Sequence, residues 1–246
     1  MAIVMLIVAS GAWHGAMCSL PSSLVRCAAE NDVPCIHACL AAGADLESRD
    51  HSGRSPLMAA AEAGADEAVE TLLAHDAAIE AVDESFDMNA LTYATWKGRE
   101  STVELLLGAG AKVEPEGRMD SPLFRASVSG PTRIVSLLLE AGASVERRSR
   151  DGRTPLHIAS CNSSEREKLM LLIGAGSEID AEADDGSTPL LCAVRYRRTN
   201  AVRILLQAGA DASHMDKEGN CPLSVALDAG DAEIVDLLRK AKALPC

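Results

Sequence analysis

Apolar residues recur along this chain in two alternating phrases. The first reads Ser55-Pro56-Leu57, Asn89-Ala90-Leu91, Ser121-Pro122-Leu123, Thr154-Pro155-Leu156, Thr188-Pro189-Leu190 and Cys221-Pro222-Leu223. Its leucines lie 34, 32, 33, 34 and 33 residues apart, and Ala60, Ala94, Ala126, Ala159, Ala193 and Ala226 follow them three positions on. The second phrase carries Val69 with Leu72-Leu73, Val103 with Leu106-Leu107, Val135 with Leu138-Leu139 and Val202 with Leu205-Leu206. Glycine closes it at Gly43, Gly110, Gly142, Gly176 and Gly209, and Asp76 takes that place once.

Each phrase predicts a short helix. Proline at the first helical position has its φ preset and loses no useful donor. Ser or Thr before it is a good N-cap. Leu and Ala three apart share one face, and alanine there lets a neighbouring helix approach closely. The Val-x-x-Leu-Leu segment gives a second helix with a larger apolar face. The closing glycine stops it in a left-handed conformation. Asp-Gly or Ser-Gly pairs before the next unit predict a tight turn. One unit is therefore helix, turn, helix, hairpin. Neither helix buries its face alone, so the units must stack.

These residues resemble the ankyrin repeat, whose signature includes Thr-Pro-Leu-His-x-Ala at about 33-residue spacing. Thr154-Pro155-Leu156-His157-Ile158-Ala159 matches it residue for residue. An earlier unit keeps the phase through Leu24, Cys27, Ile36, Leu40 and Gly43. The resemblance implies an all-α solenoid of stacked helix-turn-helix units with hairpin loops, seven of them over residues 21–246, the last acting as a cap. Residues 1–20 have two readings. Ile3 to Ala12 aligns with Ile134 to Ala143, which suggests the second helix of a partial repeat. The apolar run Ala2 to Ala9 is alternatively the core of a secretion signal, although no Lys or Arg precedes it. Arg239, Lys240 and Lys242 follow the final apolar phrase and suit a helix C-terminus.

Composition narrows the function. The six aromatics are few for one compact core and fit a thin, elongated one. The run Ala2 to Ala9 is far short of the roughly 18 residues a membrane span needs, so insertion is not expected. A net charge of −13 argues against general nucleic-acid binding. The eight cysteines sit mostly within patterned segments, which suggests free thiols in a reducing compartment, with cytoplasm first, nucleus second and secretion third. No phosphate loop, nucleophile elbow or catalytic set is present, so no enzyme activity, cofactor or small-molecule substrate is expected. His157 is expected to make structural hydrogen bonds. Cys35, His37 and Cys39 lack a second ligand pair nearby, so no metal is expected there.

Binding remains. In the family that this chain resembles, partners usually contact hairpin tips and the inner face of the first helices. The tips include Phe86, Met88, Arg118, Arg150 and Arg153; the inner face includes Glu62, Trp96, Lys97, Val128, Cys161, Arg195, Tyr196 and Asp228; Arg125 is a further candidate contact. Aromatic residues and Arg are the types enriched at hot spots. Charge is uneven: net −11 over 1–115, +1 over 116–203 and −3 over 204–246. A ridge of Arg118, Arg125, Arg150, Arg153, Arg195, Arg197 and Arg198 would suit an acidic peptide or loop. The hairpin from Asp76 to Leu91 is one residue longer than the others, and Asp87 replaces a tip glycine. The expected function is a non-catalytic scaffold or adaptor holding a protein partner on the concave face and hairpin tips. The alternative is the targeting or regulatory portion of a larger enzyme or channel.

Overall fold

The computed structural model describes residues 21–114, 121–162 and 166–241. The expected half-repeat or signal at 1–20, and Arg118, lie outside the described residues. Among those described are fourteen helices and no strand. They form seven pairs: α1 (Pro21–Ala29) with α2 (Val33–Ala41), α3 (Pro56–Ala63) with α4 (Asp66–Ala74), α5 (Ala90–Trp96) with α6 (Glu100–Gly108), α7 (Pro122–Ser129) with α8 (Thr132–Glu140), α9 (Pro155–Cys161) with α10 (Arg166–Gly174), α11 (Pro189–Arg195) with α12 (Thr199–Gln207), and α13 (Pro222–Asp228) with α14 (Ala232–Lys240).

Packing divides the chain into two compact units, Met1–Met119 and Asp120–Cys246. In the first, α1, α3 and α5 stack as a row of first helices, with α2, α4 and α6 behind them. In the second, α7, α9, α11 and α13 form one row and α8, α10, α12 and α14 the other. The predicted phrases make these contacts. The six phrase leucines are at most 5% exposed and the six alanines 0%. In the second helices Val69, Leu72, Val103, Leu106, Val135, Leu138, Val202 and Leu205 are fully buried. The second leucine of each pair is not: Leu73, Leu107 and Leu206 are half-buried.

The helix starts follow from the sequence. Ser55, Asn89, Ser121 and Thr188 each accept the N–H three residues on, at 3.3, 2.9, 3.2 and 3.3 Å. The hairpins close by main-chain bonds, from Asp50 N–H to Arg54 O at 3.1 Å, Ser149 to Arg153 at 2.9 Å, Ala183 to Ser187 at 2.9 Å and Asp216 to Asn220 at 3.0 Å. The long hairpin closes one residue wider, from Asp83 N–H to Met88 O at 3.0 Å. There the buried Asp83 carboxylate accepts from Ser85, Phe86 and Met88 N–H groups and from the Tyr93 hydroxyl, at 2.8, 2.6, 3.1 and 3.2 Å.

The tip position needs positive φ. Gly152 and Gly186 supply it at +75° and +77°, while Asp87 is forced to +52°. An L-residue is disfavoured there, although Asp tolerates it better than most. Asp87→Gly is expected to stabilise the first unit by about 0.5–1 kcal/mol. The urea midpoint checks this against that of a Glu84→Gly control in the same hairpin, which should not rise.

A second device repeats beneath the hairpins. Glu47, Glu80, Glu146 and Asp180 accept the main-chain N–H of Ala78, Lys112, Glu178 and Asp211, at 2.8, 2.7, 2.8 and 2.9 Å. Each carboxylate thus satisfies a donor in the following repeat. The sequence shows these acids at a fixed place but not what they bind.

The cysteines correct an expectation. Cys27 and Cys35 are joined by a disulfide, with Cα atoms 5.7 Å apart, and Cys39 and Cys221 are disulfide-bonded too. Among the described residues only Cys161 and Cys192 are free. Cys27 ends up opposite Cys35 because the turn between α1 and α2 folds one helix back on the other. The spacing of eight concealed that contact.

Candidate protein-binding surface

Met88 is removed from the expected contact set. It is 4% exposed and packs against Met58 and Tyr93. The extra hairpin residue turns it inward and leaves Phe86 at the tip. Phe86 is 57% exposed, and its N–H is tied to Asp83. Trp96 ends α5, 43% exposed, with its ring 6.4 Å from that of Tyr93. Lys97 Nζ lies 3.8 Å from the Trp96 ring centroid, a cation–π contact. The same ammonium is 3.1 Å from Glu62, which also pairs with Arg54. Arg54 in turn pairs with Asp50 at 2.6 Å. The first unit therefore presents Trp96 held by a charged network and Phe86 at a tip whose main chain is tied to Asp83.

In the second unit Tyr196 caps α11 and is 50% exposed. The neighbouring arginines are already engaged. Arg195 pairs with Asp216, whose side chain is 1% exposed, and lies 3.6 Å from Asp185. Burial pushes the Asp216 carboxyl up, but hydrogen bonds from Asn220 and Glu218, together with Arg195, hold it below the usual carboxylate range. Arg197 takes positive φ and meets Asp231 at 3.1 Å. That hydrogen bond is the main reason the Asp231 carboxyl is held low. Arg198 Nε donates to the Cys161 carbonyl at 2.7 Å. Arg153 pairs with Asp151 at 3.0 Å across an exposed edge. Arg150 is exposed at the same tip, and Arg125 is half-buried in α7.

The arginines thus fall into two kinds. Asp216 is enclosed and carries hydrogen bonds besides that from Arg195, so its exchange for a partner's acid would leave a buried charge unpaired. The Asp151 carboxylate is 59% exposed, and such surface pairs contribute little net stability. Arg153 can therefore trade Asp151 for an incoming acid, and Arg195 cannot do so cheaply. Burial pushes the Asp185 carboxyl up, but hydrogen bonds from Ser187 and the fields of Arg195 and Arg153 hold it below the usual carboxylate range. The sequence named the arginines but hid their partners, because the acids lie up to 34 residues away.

His157 supports this face from beneath. Its Nδ1 accepts the Thr154 N–H at 3.1 Å and lies 2.9 Å from Thr154 Oγ1. The ring proton is therefore on Nε2, which donates to the Ser187 carbonyl of the next hairpin at 3.0 Å. Burial pushes the imidazole pKa below its ordinary value, and the nearby Arg153 and Arg148 act the same way.

The helix pairs, capped turns and stacked rows define a tandem helical repeat protein. The comparisons give the family. The description "Ankyrin repeats (3 copies)" matches residues 24–117 and 164–245, and "Ankyrin repeats (many copies)" matches 123–167. The chain belongs to the ankyrin-repeat family, whose repeats are protein–protein interaction modules. It is similar to the human ASB11 ankyrin repeat domain, with a TM-score of 0.80 at 22% identity, covering 91% of this chain and 99% of that one. It is also 31% identical over 153 residues to neurogenic locus notch homolog protein 1 of Cricetulus griseus and of Mus musculus. That match covers 57% of this chain and only 5% of each relative's length. No helix among the described residues is long and apolar enough to cross a membrane.

Proposed function

We propose that the chain is a non-catalytic scaffold that holds a protein segment on the first helices and hairpin tips of its second unit. The observation that carries this reading is Tyr196, half-exposed beside arginines that ion pairs hold in place. A rigid aromatic next to preorganised guanidinium groups binds at low entropic cost. The partner's acidic group lands on Arg153 and Arg150, and its apolar group on Tyr196. Arg195, held by Asp216, orients the surface rather than supplying the charge. Phe86 and Trp96 form a separate contact patch on the first unit.

The reading as part of a larger protein draws support from the notch relatives, in which the matched stretch is 5% of the length.

The test is affinity capture with three proteins of equal helicity and melting temperature. They are the unaltered chain, an Arg153→Glu/Tyr196→Ala variant, and an Arg203→Glu variant altered on α12. Partners kept by the first and third but lost by the second are expected. Identical capture by all three would place binding elsewhere.

A further inference from the structure

Four hairpins share one main-chain frame but not one opening side chain. Asp50, Ser149, Ala183 and Asp216 each donate their N–H to the carbonyl four residues on, and their carbonyls accept the N–H of the glycine three residues on. The opening side chains can therefore be compared directly. Asp50 Oδ1 accepts the N–H groups of Ser52 and Arg54 at 2.9 and 3.0 Å, and its Oδ2 accepts Arg54 Nε at 2.9 Å. Asp216 Oδ1 accepts the N–H groups of Glu218 and Asn220 at 3.0 and 2.8 Å, and its Oδ2 pairs with Arg195. In both hairpins an anion at the opening position holds the tip and an arginine together.

Ser149 keeps the frame without the anion. Its Oγ accepts the Arg153 N–H at 3.1 Å, the equivalent of the Arg54 and Asn220 donors. The hydroxyl faces the Asp151 carboxylate and the Arg153 carbonyl, the latter at 3.2 Å. Arg153 stands where Arg54 does, but its Nε turns to Asp151 at 3.0 Å. Arg147, Arg148, Arg150 and Arg153 lie within four residues of Ser149, and Asp151 is the one acid between positions 147 and 153. Asp184 of the next hairpin meets this tip through its main chain, and Asp185 lies 3.6 Å from Arg195. Ser149 is half-buried, between exposed Arg148 and exposed Arg150. Ala183, in the remaining hairpin, has no group to modify.

We propose that Ser149 is a phosphorylation site, and that its phosphate takes the place the Asp50 and Asp216 carboxylates occupy in their hairpins. Ser149 Oγ attacks the γ-phosphorus of a nucleoside triphosphate held by a protein kinase. The Oγ–P bond forms, the bond from that phosphorus to the diphosphate breaks, and the hydroxyl proton passes to the kinase's base. The phosphate brings close to two negative charges and three acceptor oxygens. They accept the Arg153 N–H and guanidinium and the Asp151 N–H, the equivalent of the Ser52 and Glu218 donors. The Asp151 carboxylate, 59% exposed, is displaced from Arg153 into water. Charge-assisted bonds to arginine are stronger than the neutral bond they replace. Arg153 is then no longer open to a partner's acid, a consequence that rests on the proposed function.

The full chain is incubated with the catalytic subunit of cAMP-dependent protein kinase, ATP and magnesium, then mapped by mass spectrometry. That kinase reads arginine shortly before the acceptor serine. A phosphate on Ser149 is expected, absent from Ser149→Ala. The phosphorylated chain should melt about 2–4 °C above the unmodified one. Arg153→Gln should still be phosphorylated but lose most of that rise. The proposal is overturned if Ser149 stays unmodified in the folded chain. It is equally overturned if phosphorylation does not raise the melting temperature, or raises it as much in Arg153→Gln. In the capture experiment, phosphorylation should remove the partners that Arg153→Glu/Tyr196→Ala loses. If that variant loses them and the phosphorylated chain keeps them, the competition for Arg153 is overturned while the proposed function stands. If the variant keeps them, the proposed function fails, and the melting result alone decides the site. Circular dichroism confirms that each variant is folded before it is read.

Discussion

Replacing His157 with alanine is expected to destabilise the second unit by about 3 kcal/mol. The imidazole is 0% exposed and joins two repeats. Without it the Thr154 N–H and the Ser187 carbonyl lose their buried partner, and a ring-sized cavity remains. Each orphaned group costs about 1–3 kcal/mol. The pH dependence follows from the lowered pKa. The folded protein keeps His157 neutral, while the unfolded chain takes up a proton below about 6.5. Its contribution is complete above that pH and declines as pH falls towards the folded value, by at most about 1.4 kcal/mol per unit. Asp50, Asp185, Asp216 and Asp231 are held below 3.8, so their contributions are lost only at lower pH. Urea unfolding at pH 7.5 and 5.5 should show a drop in the unaltered protein. A His157→Gln variant should lack most of it. An equal drop in both would show that the imidazole is not the titrating group.

Ala193→Leu is the second large effect. Ala193 is 0% exposed in α11, which packs directly on α9 and α13. Three added carbons have no space between these helices, so either a rotamer or a helix must move. Overpacking of this kind costs roughly 1–3 kcal/mol, and the fully enclosed site puts the cost near the upper end. Ala232→Leu adds the same atoms at an exposed position at the start of α14 and should stay within about 0.5 kcal/mol of the unaltered protein. Thermal melting separates the two. Equal melting temperatures would mean that the alanine row tolerates bulk and does not set the helix spacing.

The repeat spacing predicts a helix pair per unit, and the phrase leucines and alanines are the buried residues. Ser55, Asn89, Ser121 and Thr188 read as N-caps and act as such. Those features are local: a cap, a face or a closing glycine is decided within one turn of chain. Met88 reads as a tip residue but is core, because one inserted residue rotates the hairpin and only packing against Met58 and Tyr93 fixes its direction. The arginine ridge reads as open cationic surface but comes paired.

The family, the all-α repeat and its core are legible in the order of amino acids, because a period of about 33 residues repeats the same short-range chemistry. Which charges pair and which main-chain donors are satisfied by a distant carboxylate became fixed only when the repeats stacked. Those outcomes depend on contacts between repeats: Arg197 with Asp231, and Glu146 with the Glu178 N–H. Each joins one repeat to the next, and no pattern within one repeat specifies its partner in the other.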